Sequence, residues 1–298
     1  MSTTTGENMS GTKLVGVVGA GVIGTGVAQA VAAAGYGVVL VDRTEDVLDT
    51  ARRGVRDGLR MRRLLGGGGS REEDARTFDR IAFTTDPAEL APVDFVIENV
   101  TEDWEIKKSV YRVLDEVCRP DRVFAANTSV IPITGIAGLV REPGRVLGMH
   151  FMNPVPLKAV VEVVRGHYTT DATVGTALDL LARMGAEGVV VADSPGFVTN
   201  RVLMPTINEA VFLLQERVAG VEEIDRLFKG CFHHRMGPLE TADLIGLDTV
   251  LRSIEGLFHS FADSKYRPCP LLRGMVDAGL LGRKSGQGFY SYRGDVAR

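Results

Sequence analysis

A single stretch limits what this chain can fold into. The β-branched run Leu14–Val18 ends directly in Gly19-Ala20-Gly21-Val22-Ile23-Gly24, and an alanine-rich helical pattern continues from Ile23 to Ala34. Glycines at this spacing, between a strand and a helix, bring backbone up to a pyrophosphate. Gly19 permits a tight turn, Gly21 lets the phosphates approach, and Gly24 lets the helix pack close to the sheet. The helix N-terminus, at Val22 and Ile23, then offers unpaired N–H groups and a partial positive charge.

Asp42 closes the next apolar run, Val38–Val41, 18 positions beyond Gly24. A carboxylate there accepts hydrogen bonds from both ribose hydroxyls and repels a 2′-phosphate, which selects NAD over NADP. Arg43 follows at once and weakens that selection by offering a phosphate contact.

Further short strands are read at Ile81–Thr84, Phe95–Ile97, Val123–Ala126, Val146–Met149, Val160–Val164 and Gly188–Ala192. Helical patterns separate most of them: Glu45 to about Leu65, Glu105–Cys118, Ile133–Val140 and Thr173–Met184. Strands alternating with helices predict an α/β, doubly wound, mostly parallel sheet of Rossmann type. After the turn Asp193-Ser194-Pro195-Gly196 the pattern changes. Val198–Glu216, Val221–Lys229, Pro238–Phe261 and Pro270–Ala278 read as helices, with no convincing strand before Gly288-Phe289-Tyr290. The expected domains are therefore a disordered tail (1–12), a nucleotide-binding domain (13–193) and an all-helical C-terminal domain (194–298). Gly66–Gly69 reads as a flexible turn inside a charged helical region.

Composition narrows the function class. With 24% charged residues and a net charge of −4, the chain has no basic surplus for nucleic acid or an anionic membrane. The polar start lacks a signal peptide's apolar core, and the apolar stretch Val27–Val41 is too short and too broken to span a bilayer. Cys118, Cys231 and Cys269 lie far apart and fit no metal spacing, so they read as free thiols in a reducing cytoplasm.

In a doubly wound sheet, ligands sit outside the carboxyl ends of the strands. Asn127-Thr128-Ser129 falls there, as do His150, Asn153, Glu98 and Glu102, with Lys107 close behind. Glu162 lies inside the run Val160-Val161-Glu162-Val163-Val164. A carboxylate in such a strand is costly to bury unless paired. Facing His150, it would orient the imidazole and stabilise its cation, as a general base for a hydroxyl proton requires. Strand alternation equally allows Glu162 to face solvent.

Six segments in order resemble the 3-hydroxyacyl-CoA dehydrogenase family: GAGVIGTGVA, NTSVIPIT, GMHFMNPVP, DSPGFVTNR, MGPLETADLIGLD and LGRKSGQGFYSY, spanning about Lys13 to Tyr292. The resemblance implies NAD-dependent oxidation of a hydroxyacyl thioester. It makes His150 the general base and Glu162 its orienting partner. Ser129 and Asn200 would hydrogen-bond the reacting oxygen. Glu102, Lys107, Ser129 and Asn153 would contact the cofactor or the thioester near it. The helical domain would form a homodimer and close the substrate cleft.

The sequence also departs from that pattern. The family usually carries a lysine-rich helical hairpin between the second and third strands. Here Arg60-Met61-Arg62-Arg63 precede four glycines. Glu98–Trp104, Val130 after Ser129, and Cys231-Phe232-His233-His234-Arg235 also depart from it. These departures resemble a polyketide subgroup that oxidises a short hydroxyacyl group on an acyl carrier protein, on the way to hydroxymalonyl or methoxymalonyl units. The arginines suit a carrier docking rim, the 3′-phosphate of coenzyme A, or a plain surface helix. An L-gulonate-type dehydrogenase and a non-catalytic NAD-binding protein are the further alternatives.

Overall fold

The structure, a computed structural model, describes residues 13–64 and 70–292. The expected tail at 1–12 and the turn at Gly66–Gly69 lie outside the described residues. The chain divides into two compact units, Met1–Asp193 and Ser194–Arg298.

The first unit is built on eight strands: β1 (Leu14–Val18), β2 (Gly37–Val41), β3 (Ile81–Thr84), β4 (Phe95–Glu98), β5 (Val123–Ala126), β6 (Val146–His150), β7 (Val160–Arg165) and β8 (Glu187–Ala192). Their order in the sheet is β3-β2-β1-β4-β5-β6-β7-β8. Every neighbouring pair is parallel except β6 with β7. The central strands are continuous apolar runs because helices cover both faces, as a parallel sheet requires. On one face, Val27 and Val31 of α1 (Val22–Ala33), Leu48 and Val55 of α2 (Glu45–Leu64), and Val174 and Leu181 of a later helix (Asp171–Arg183) share a core with Val15, Leu40 and Ile97. Between them in sequence lies α3 (Arg71–Asp79), started by a reciprocal cap between Ser70 and Glu73. On the other face, Tyr111 of α4 (Trp104–Val117) meets Phe124 edge-on at 6.2 Å, and α5 (Ile133–Ala137) buries Ile133 and Ile136. The Asp171–Arg183 helix is α6.

The second unit packs α7 (Thr199–Gln215), α8 (Val221–Phe232), α9 (Pro238–Ile245), α10 (Leu247–Phe261) and α11 (Pro270–Asp277) around Ile207, Val211, Leu239, Val250, Ile254 and Leu272. One expectation needs correcting here: Pro238–Phe261 is two helices. Gly246, at φ +100°, ends α9 and begins α10. Only glycine takes that backbone region cheaply, so the chain turns there despite apolar spacing that continues across it. Around Gly288 there are isolated bridges, Gly282 with Gln287 and Gln287 with Ser291. That segment is pinned by two buried carboxylates. Asp243 accepts the N–H groups of Phe289 and Tyr290 and the Tyr292 hydroxyl, and Asp225 accepts the Tyr290 hydroxyl.

Candidate active site

The glycine loop has the shape its spacing implies. Gly19 adopts φ +91°, and a Cβ there would lie 2.8 Å from the Asn99 backbone. At Gly21 a Cβ would meet nothing within 4 Å, so the chain is open on that side. Gly24 is needed for a closer reason than packing on the sheet: a Cβ would lie 1.8 Å from the Gly19 carbonyl oxygen. No side chain caps α1, and its first turn holds no acid. Val22 and Ile23 thus begin a helix whose leading N–H groups face an open cradle, which fits a dinucleotide's phosphates. Asp42, just past β2, accepts from Ala20 N at 2.6 Å through Oδ2 and from Arg43 N at 2.7 Å through Oδ1. It fastens the glycine loop to the end of β2.

The ends of β4 and β5 are joined by a buried ion pair. The Lys107 ammonium donates to both Glu98 carboxylate oxygens, at 2.8 and 2.9 Å, and to the Asn127 carbonyl at 3.2 Å. Burial pushes the Glu98 carboxyl up from its ordinary range, with Lys107 pulling against it. The Tyr111 phenol is likewise driven well up by burial and by Glu98 beside it. Lys107 has no exposed surface. It acts beneath the site, holding the loop after β5. Asn127 continues this framework: its amide donates to Asn99 Oδ1 at 2.8 Å, and its Oδ1 accepts from Phe151 N at 3.2 Å.

Glu102 is exposed but also bound up in that loop. Its Oε1 accepts from the Thr128 hydroxyl and from the N–H groups of Ser129, Val130 and Ile131. One carboxylate oxygen thus shapes the turn that presents Ser129.

His150 ends β6, and the antiparallel return of β7 sets it directly opposite Glu162. Both are buried, at 4% and 6% exposure. His150 Nδ1 lies 2.7 Å from Glu162 Oε2, and His150 Nε2 lies 3.2 Å from Ser129 Oγ. With Glu162 ionised, Nδ1 carries the proton and Nε2 is the accepting nitrogen, turned toward a hydroxyl. Asn153 lies beside the glycine loop: with Gly21, Val22, Met61, Val155 and Leu157 it lines a cavity of about 720 Å³. Asn200 is buried in the first turn of α7, in the second unit.

The structure thus brings Ser129, His150, Glu162 and Glu102 together around three strand ends. Residue-by-residue reading put Asn127 at a strand end but missed its pairing with Asn99 below the site. The available signal was a pair of asparagines each following a buried strand. Among the described residues no group of His, Cys, Asp and Glu is arranged to hold a metal.

Sequence comparison decides the family. Residues 14–194 match the 3-hydroxyacyl-CoA dehydrogenase NAD binding domain, and residues 196–292 match the 3-hydroxyacyl-CoA dehydrogenase C-terminal domain. The chain belongs to the 3-hydroxyacyl-CoA dehydrogenase family. It is 44% identical to a 3-hydroxybutyryl-CoA dehydrogenase of Bradyrhizobium diazoefficiens, covering 95% of this chain and 96% of the relative. It is 36% identical to human mitochondrial hydroxyacyl-coenzyme A dehydrogenase, covering 94% and 91%. The crystal structure of (S)-3-hydroxybutyryl-CoA dehydrogenase from Ralstonia eutropha is similar with a TM-score of 0.89 at 41% identity, covering 94% of this chain and 99% of that one. As a member of this family the chain is an NAD-dependent oxidoreductase.

Proposed function

We propose that this 3-hydroxyacyl-CoA dehydrogenase family member oxidises the 3-hydroxyl of a short 3-hydroxyacyl thioester to the 3-oxoacyl thioester. The observation that carries the reading is the line from Ser129 Oγ through His150 to Glu162, at 3.2 and 2.7 Å. A hydroxyl placed beside Ser129 gives its proton to His150 Nε2. Glu162 keeps the imidazole in the accepting tautomer and stabilises the cation that forms. Ser129 holds the reacting oxygen. Bound NAD supplies the hydride acceptor for the carbinol carbon. Gly19, Gly21, Val22, Ile23 and Gly24 hold its phosphates, Asp42 its ribose, and Glu102 and Asn153 border it. Lys107 positions the loop that carries Ser129.

Coenzyme A is the favoured carrier, since relatives at 41–44% identity are named for CoA esters. Delivery on an acyl carrier protein is the second reading, favoured by the basic run Arg60–Arg63 on α2. The helical unit forms a homodimer. It leaves Val202 of α7 and Leu227 and Phe232 of α8 exposed at 65%, 58% and 65%, apolar side chains that a partner subunit would cover. No helix among the described residues is long and apolar enough to cross a membrane, and we place the reaction in the cytoplasm.

Competition decides the carrier. Purified protein is given NAD with 3-hydroxybutyryl-CoA, or with a short hydroxyacyl group on an acyl carrier protein, and NADH is followed by absorbance. Efficient turnover of the free CoA ester is expected. Turnover of the protein-bound substrate alone would overturn the CoA reading, and no NADH from either would overturn the reaction itself.

A further inference from the structure

The turn Asp193-Ser194-Pro195-Gly196 begins at the last residue of the first unit. That residue reaches back to the loop that carries Ser129. Asp193 Oδ1 accepts from Ile133 N at 3.1 Å, and its Oδ2 accepts from Thr134 N at 2.7 Å and from the Thr134 hydroxyl at 2.6 Å. These are the leading N–H groups of α5, for which Pro132 at the cap supplies no side-chain acceptor. Ser129, Val130 and Ile131 give their N–H groups to Glu102 Oε1, at 3.3, 3.2 and 3.4 Å. Pro132 has none to give. Every N–H from Ser129 to Thr134 therefore ends on one of two carboxylates.

The two anchors do different things. Three N–H groups converging on one oxygen fix where the loop lies but leave it free to turn about that oxygen. A second anchor, on both oxygens of another carboxylate, removes that turn. The Thr134 hydroxyl ties this anchor down further. It accepts from His167 N at 3.0 Å, just past the end of β7, the strand that carries Glu162. Gly166 permits the close approach: a Cβ there would lie 3.1 Å from the Ile133 side chain and 3.3 Å from Thr134 N. The loop of Ser129 is thus referenced to the same strand as the carboxylate that holds His150.

We propose that Asp193 is a positioning residue for the proton transfer. It sets the angle at which Ser129 Oγ faces His150 Nε2, 3.2 Å away, and it acts through the first turn of α5. The inference rests on the hydroxyl-oxidation reading above and adds a residue which that reading does not use. Asparagine is the informative replacement. It keeps the size of the side chain but turns one acceptor into an NH2 donor, set against donors that need an acceptor.

Asp193→Asn should lower kcat for 3-hydroxybutyryl-CoA about ten- to a hundredfold, the cost of a small misplacement at the reacting atoms. KM for NAD should stay near that of the unmodified protein. With Ser129 already replaced, nothing is left to misplace, so Ser129→Ala/Asp193→Asn should match Ser129→Ala alone. An unchanged kcat in Asp193→Asn overturns the proposal. Effects that multiply in the double variant also overturn it, because a residue that only supports the fold acts independently of Ser129. The same comparison is made without turnover, in protein whose histidines are labelled at the ring nitrogens. Ser129→Ala and Asp193→Asn should move the His150 Nε2 resonance in the same direction, and Asp193→Asn should leave it in place in Ser129→Ala protein. A resonance that Asp193→Asn does not move counts against the proposal equally. Should thermal unfolding show that Asp193→Asn does not fold, Thr134→Val removes the hydroxyl bridge and keeps both N–H contacts, and the same outcomes decide. If the unmodified protein oxidises no thioester, the reaction reading falls, while the resonance still decides whether Asp193 places Ser129.

Discussion

Glu162 is the residue whose environment says most about the chemistry. A lone carboxylate among valines would be strongly disfavoured, and pairing with His150 across the β6–β7 register is what makes its burial tolerable. Removing the base should therefore cost rate rather than cofactor binding. His150→Ala should lower kcat by about 10²- to 10⁴-fold, while NADH affinity, measured by fluorescence titration, stays near that of the unmodified protein. Glu162→Gln should lower kcat as well. It should also shift the rising limb of the pH–rate profile to lower pH, because the imidazolium loses its adjacent negative charge. An unmoved profile would show that the carboxylate does not act on the imidazole. Asp42 makes a second residue-scale prediction: catalytic efficiency with NAD should exceed that with NADP, and Asp42→Ser should narrow the gap. A preference for NADP in the unmodified protein would remove Asp42 from the ribose site.

Individual elements are held by buried charge as much as by apolar packing. Asp115 of α4 binds both the loop after α5 and the start of β6. It accepts from Arg141 N at 3.2 Å and Arg141 Nε at 2.8 Å, and it pairs with the buried guanidinium of Arg145. Arg145 in turn lies 4.1 Å from the centre of the Phe124 ring. Burial alone would push the Asp115 carboxyl up, but the hydrogen bonds and charges of Arg141 and Arg145 outweigh it and hold the group below its ordinary 3.8. A carboxyl lowered in this way stabilises the fold above its ordinary value, and the contribution is lost as pH falls through the folded value. Asp115→Asn should cost about 3 kcal/mol at pH 7, because Arg145 is left buried and uncompensated. Urea midpoints should show that loss at neutral pH and a smaller difference below pH 3.8. An equal difference at both would argue that the contact is not charged.

At the scale of the molecule, the apolar surface left on α7 and α8 predicts a dimer. Light scattering at micromolar concentration should give twice the chain mass of 32.1 kDa. Charge placed at one of these exposed apolar positions, as in Val202→Asp, should shift the equilibrium toward the monomer. A fully active monomer under the assay conditions would remove the homodimer from the proposal.

Local elements and the chemistry of the nucleotide loop are legible in chain order. Strand, glycines and helix are adjacent in the chain, so short-range rules of turn and propensity suffice to place Gly19, Gly21 and Gly24. The strands Ile81–Thr84 and Val123–Ala126 were legible for the same reason. Motifs in order along the chain were likewise enough for the family. Tertiary structure alone decided which way Glu162 faces. Alternation allowed either side, and the antiparallel return of β7, a long-range pairing, chose His150. It also decided that Lys107 lies under the site. Position in sequence brings a lysine near a strand end, but only burial against Glu98 shows where its charge is spent. The break at Gly246 is a conformational choice at one residue that apolar periodicity passes over. Gln29 of α1 is buried against Gly58 of α2, a contact between helices that no local pattern encodes.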